Sequence, residues 1–121
     1  MQPSVFKITS AASVNLTQPL GTVPSADLYG YEIYNTNVAA RFVKFYWGAP
    51  GTFSGGGDTP TVGTDVPKIT IQVPATGKAS SNYACPVGGP GTMFMAMTVN
   101  AADTDATAVG AGDLIASIFV G

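Results

Sequence analysis

Residues 59–77 read Thr59-Pro60-Thr61-Val62-Gly63-Thr64-Asp65-Val66-Pro67-Lys68-Ile69-Thr70-Ile71-Gln72-Val73-Pro74-Ala75-Thr76-Gly77. The centre alternates strictly, with Ile69, Ile71 and Val73 on one side and Thr70 and Gln72 on the other. That period of two belongs to a half-buried β-strand. Proline has no N–H to give a ladder, so Pro67 and Pro74 bound the strand. Gly63, Asp65 and Gly77 supply turn chemistry on either side. The unit is turn, strand, turn, with no group suited to bond chemistry.

The same period recurs along the chain. Val5–Thr9 and Ala12–Leu16 read as an N-terminal strand or arm. Tyr29, Tyr31 and Ile33 alternate with Gly30, Glu32 and Tyr34. In residues 41–47, Val43, Phe45 and Trp47 share one face while Phe42, Lys44 and Tyr46 share the other. Residues 68–73, 79–85, 92–99 and 114–120 follow the same rule. The last segment is apolar on both faces, which places it in the middle of a sheet or under a neighbouring subunit. No stretch holds a helical period; residues 101–111 are rich in Ala but interrupted by Asp103, Asp105 and Gly110. Seven to eight strands separated by Gly, Pro, Asn and Asp predict an all-β, antiparallel β-sandwich in one domain over residues 1–121, with residues 1–10 as an extended arm. Jelly-roll and immunoglobulin-like orders both satisfy this pattern, and strand order is not legible. Residues 19–27 and 48–66 are expected as loops, the second longer than most compact domains carry.

Composition narrows the function classes. At 121 residues the chain is long enough to bury a core without staples. Only 10% of residues are charged and the net charge is −2, against about 25% charged in a typical domain. A surface of Thr, Ser, Asn, Gly and Ala offers little repulsion against self-association. Lys7, Arg41, Lys44, Lys68 and Lys78 are scattered, so nucleic acid is not an expected partner. No apolar run approaches the roughly 20 residues needed to cross a membrane, and the first residues lack the pattern of a secretion signal.

The chain contains no histidine, which removes Ser–His–Asp and Cys–His nucleophile chemistry and any His-ligated metal. Cys85 is alone and reads as a small, partly buried thiol. Glu32 reads as a solvent-facing strand residue. Asp103-x-Asp105-x-Thr107 has oxygen ligands at alternating positions but departs from a calcium loop at Ala108 and Leu114, so both acids read as turn caps. No enzyme activity, metal or cofactor is expected. Tyr29, Tyr31, Tyr34, Tyr46, Trp47 and Phe53 are the aromatics from which a sugar-stacking platform would be built; Trp47 is the expected core anchor and Phe53 the expected exposed contact. Met93, Met95 and Met97 share a strand face and read as core.

The loop Pro60-Thr61-Val62-Gly63-Thr64-Asp65-Val66-Pro67, the strand Thr70-Ile71-Gln72-Val73-Pro74-Ala75 and the stretch from Ala102 to Leu114 together resemble small all-β virion structural proteins of tailed bacteriophages. The resemblance covers residues from about 39 to the C-terminus; it departs from the pattern at Gln72, in residues 51–57 and at Cys85. It implies a capsid cement (decoration) or head-fibre protein, favours the jelly-roll order, and implies the major capsid protein and a homotrimer as partners. The implied location is the capsid surface of a virion assembled in the host cytoplasm. Candidate contact residues are Gln2, Val5 and Phe6 in the arm and Phe53, Val62 and Asp65 in the long loop. The alternative function is a fibre- or tail-associated module that recognises a glycan or host receptor.

Overall fold

The computed structural model describes residues 4–10, 18–20 and 26–121. Among these the chain forms eight strands and no α-helix: β1 (Ser4–Thr9), β2 (Gln18–Leu20), β3 (Leu28–Asn35), β4 (Arg41–Gly48), β5 (Ile69–Val73), β6 (Lys78–Val87), β7 (Thr92–Thr98) and β8 (Leu114–Val120). They make two four-stranded antiparallel sheets, ordered β1-β8-β3-β6 and β2-β7-β4-β5. The ladders β1·β8, β2·β7, β3·β6 and β4·β5 pair the chain against itself from its ends inward. The ladders β3·β8 and β4·β7 then join the wound ribbon into sheets. A single long hairpin wrapped in this way is a jelly roll, and the tip of the ribbon is the connection between β4 and β5.

The core lies between the sheets and follows from alternation. Ile33 of β3, with Leu114, Ala116, Ile118 and Val120 of β8, faces Val43, Phe45 and Trp47 of β4 and Met93, Met95 and Met97 of β7; all are buried. The three methionines are fully buried, as expected for a core filled by adaptable side chains. Trp47 is the expected anchor: its ring is 7% exposed and Nε1 donates to the Ala26 carbonyl at 2.7 Å, which satisfies the indole. β8 lies between β1 and β3, as its two apolar faces predict.

Three differences from the sequence reading have local causes. Gln18–Leu20 forms edge strand β2 where the expected 19–27 loop begins; three residues including Pro19 show no readable period, and an edge is where a missing N–H is tolerated. The proposed Ala12–Leu16 strand lies outside the described residues. Cys85 is exposed instead of partly buried. Between Leu28/Val87 and Gly30/Asn82 the β3·β6 register shifts, with one residue on β3 set against four on β6, so the edge strand arches away from its neighbour around Cys85.

One end of the sandwich, where β3, β5 and β7 finish, is stitched by polar groups. Asn35 is buried; its Nδ2 donates to the Ala39 and Val73 carbonyls and its Oδ1 accepts from Asn37 N. Asp113 accepts from Gly110 N, Asn37 Nδ2 and Arg41 Nε. The long β4–β5 connection springs from the opposite end.

Candidate functional site

The outer face of the β2-β7-β4-β5 sheet should be solvated, because Lys44, Tyr46, Phe94, Ala96 and Thr98 point away from the core. It is closed: Lys44, Ala96 and Thr98 are fully buried, Tyr46 is 1% exposed and Phe94 4%. Two excursions of the chain, residues 49–67 and 99–113, fold over it. Phe53 stacks edge-on against Phe94 with ring centroids 5.5 Å apart and planes at 89°. Val62 packs on the same cluster with Tyr46 and Ala96. Gly48 makes the seat for this ring, since a Cβ there would stand 2.4 Å from Phe53 Cζ.

The 49–67 segment is organised by its own groups. Asp65 accepts hydrogen bonds from Ser54 N at 3.0 Å, Ser54 Oγ at 3.0 Å and Thr61 N at 2.7 Å. One carboxylate thereby ties the two halves of the loop together. Phe53 and Gly57 exchange backbone hydrogen bonds, and a single 3-10 turn at Ser54–Gly56 lies between them. The loop re-enters the sheet where Lys68 N donates to Phe45 O. Gly63, at φ +90°, abuts the second excursion: a Cβ there would come within 3.1 Å of Ala106 Cβ and 3.2 Å of Thr104 O.

The second excursion is pinned from beneath. Lys44 Nζ donates to the carbonyls of Ala102 at 2.7 Å and Asp105 at 3.2 Å. Burial pushes this ammonium's pKa down, while the charges of Asp105 and Asp103 oppose the shift. Asp105 accepts from Asn100 N, Asn100 Nδ2 and Thr107 Oγ1. Burial alone would raise its pKa; these hydrogen bonds and Lys44 more than reverse that, and the net shift is downward. The Asp105 and Thr107 oxygens are thus engaged with each other as a turn cap. Tyr46 Oη has no hydrogen-bond partner among the described residues. Burial, then Asp103 and Asp65, push its pKa up to about 12.

The candidate contact residues fall in different places. Gln2 lies outside the described residues. Val5 is 59% exposed on the outer face of the other sheet, paired with Phe119. Phe6 points inward and packs, half-buried, on the core. Phe53 is 9% exposed, which corrects its reading as an exposed anchor: a lone aromatic among glycines finds Phe94 far along the chain. Val62 is half-buried beneath the loop, and Asp65 is the loop's internal tie. The residue that reasoning missed is Val66, 70% exposed beside Asp65; its signal was an aliphatic side chain interrupting the Asp-x-Pro turn. The six aromatics make no shared platform: Tyr46, Trp47 and Phe53 are buried and Tyr31 packs against Tyr83. Glu32 is half-exposed on the outer face, as expected, where it accepts the Tyr34 hydroxyl.

The outer loop surface is rich in Thr and Gly and carries exposed Asp58 and Asp103, with no basic residue in 49–67 or 99–113. Comparison with known proteins finds no match of this chain to a family model, to a curated protein or to a solved structure.

Proposed function

We propose that this protein is a structural component of a tailed-phage virion, a cement (decoration) protein that binds the capsid lattice as a homotrimer and stabilises the head. The observation that carries the reading is the self-organised 49–67 loop, the segment holding the motif that resembles virion proteins. Its Asp65 hydrogen bonds and its Phe53–Phe94 stack order it before any partner is met. A pre-ordered loop loses little conformational entropy on docking. Its exposed Thr59, Thr61, Thr64 and Val66 form the contact, with Val66 as the apolar anchor. Binding energy is the mechanism: a protein that prefers the assembled lattice over free subunits shifts the equilibrium toward the shell. The burial of Trp47, Tyr46 and Phe53 counts against a broad aromatic platform of the kind the fibre-module alternative called for.

Quantitative mass spectrometry of purified virions tests the reading. A copy number comparable with that of the major capsid protein supports it, whereas a few copies per particle point to tail or fibre, and absence from virions overturns it. Addition of purified protein to emptied shells, followed by thermal melting of the shells, should raise their melting temperature.

A further inference from the structure

We propose that the cleft at the stitched end of the sandwich is a binding site for an acidic saccharide, a function beyond lattice binding. The cleft is an open depression of about 480 Å³, lined by Tyr34, Asn35, Thr36, Thr76, Gly77 and Lys78. Three strand ends build it: the close of β3, the turn into β4, and the β5–β6 turn with the first residue of β6.

Each wall has its own chemistry. Tyr34 is 45% exposed, in contrast to the buried Tyr46 and Trp47. Its hydroxyl donates to Glu32 Oε1, which holds the ring in place. Lys78 Nζ lies over the Tyr34 ring, 5.8 Å from its centroid, so one ring face is covered by the ammonium and a pyranose stacking there would displace it. Lys78 is the one cationic group among the lining residues, complementary to a carboxylate on the sugar. The floor is rigid: Asn35 is 3% exposed and bonded to Ala39 O and Val73 O, and the Thr36 hydroxyl donates to Gly112 O.

Thr76 is the informative residue. Among the described residues it alone combines a side chain with positive φ, at +44°. A β-branched residue in the left-handed region is strained, and glycine would remove that strain. The strained backbone is held by Thr76 N donating to Asn37 O at 2.9 Å. Its exposed side chain, standing at the cleft where glycine would be more stable, is accounted for if the hydroxyl meets a ligand. The cleft lies at the end of the sandwich opposite the root of the 49–67 loop and shares no residue with it, so the site does not depend on the lattice-binding reading.

Titration of the isotopically labelled protein with 3′-sialyllactose, lactose and acetate, followed by amide NMR, decides the matter. The expected result is shifts confined to residues 34–36 and 76–78, with sialyllactose about tenfold tighter than lactose, the effect of one well-placed charge contact of about 1.4 kcal/mol. Lys78→Gln should bring sialyllactose down to the lactose level and Tyr34→Ala should abolish both. Thr76→Gly should raise the melting temperature while weakening binding severalfold, so loss of fold cannot imitate the result. Absence of shifts at the cleft, an equal response to acetate, or unchanged binding in Thr76→Gly overturns the proposal.

Discussion

Replacing Phe53 by alanine separates the two roles that the loop reading distinguishes, support and contact. The side chain is 9% exposed. A buried phenylalanine hides on the order of 200 Å², and about 25 cal/mol per Å² puts its burial at roughly 5 kcal/mol. Measured truncations of buried Phe cost about 3–5 kcal/mol; the edge-on pair with Phe94 accounts for about 1 kcal/mol of that. Residue 53 sits in a glycine-rich loop whose backbone can relax into part of the space left behind, so the low end of that range, about 3 kcal/mol, is expected. At this chain length that lowers the melting temperature by about 10 °C. Urea unfolding followed by the fluorescence of Trp47, the chain's single tryptophan, measures the stability. Hydrogen exchange at the Ser54 and Thr61 amides, both bonded to Asp65, reports whether the loop has loosened. Val66→Asp, at a 70% exposed position, should change stability by no more than about 0.5 kcal/mol yet weaken lattice binding. A Phe53→Ala cost below about 1 kcal/mol would refute the packing argument. Full lattice binding by Val66→Asp would refute the contact assignment.

Other consequences are equally direct. Gly91 has φ +92° and a Cβ there would stand 2.2 Å from Gly48 C, whereas Gly112, at φ +76°, faces open space. Gly91→Ala should therefore cost more than about 3 kcal/mol or prevent folding, and Gly112→Ala about 1 kcal/mol, read from thermal melts. Ultraviolet titration should show a phenol ionising near the value of about 12 given by Tyr46, and Tyr46→Phe should remove that component. Since the unfolded chain ionises this group near pH 10, the stability it contributes is complete below that pH and fades as pH rises toward the folded value. At the acid end, burial would raise Asp113, but hydrogen bonds from Asn37, Gly110 and Arg41 and the Arg41 charge lower it overall, as the corresponding partners do at Asp105. The unfolded chain then protonates first, so stability is full above the ordinary aspartate range near pH 4 and falls as pH drops toward the depressed values. The Asp105→Asn/Asp113→Asn double variant should melt lower at neutral pH and depend less on pH below about 4.

Most strands were legible because one face of each meets a core and alternation records that burial. Val43, Phe45 and Trp47 against Met93, Met95 and Met97 illustrate the rule. β2 was hidden because three residues cannot display a period, and the ladders pair segments as distant as Ser4 and Val120, whose matching leaves no local trace. The candidate site was harder. Lys44, Tyr46 and Phe94 occupy positions that alternation assigns to solvent, and only tertiary folding of two loops buries them. Phe53 misled for the same reason: local sequence shows glycines, while the ring's environment is Phe94 and Gly48. Asp65 read as a turn residue and a candidate contact; its bond to Thr61 lies within the turn, and the tie to Ser54 eleven residues back is what the local pattern does not announce. For Phe53 a long-range contact decided the outcome.

The two outer faces of the sandwich are finished differently, and that difference bears on function. On the β1-β8-β3-β6 sheet, strand side chains such as Val5 and Tyr34 remain accessible. On the other sheet the chain supplies its own cover, one excursion rooted at each end and the two meeting at Gly63 and Ala106. A cover built only to keep water from Phe94 and Ala96 would need apolar side chains and little more. This one also buries the Lys44 ammonium under two carbonyls and engages the Asp65 carboxylate in three hydrogen bonds. Removing a charge from water is unfavourable unless its hydrogen bonds are well made, and such bonds select one loop conformation over many. Holding the tip of the ribbon in a single shape lets its specificity rest on fit, and the exposed Asp58 and Asp103 on the cover select against an acidic partner surface.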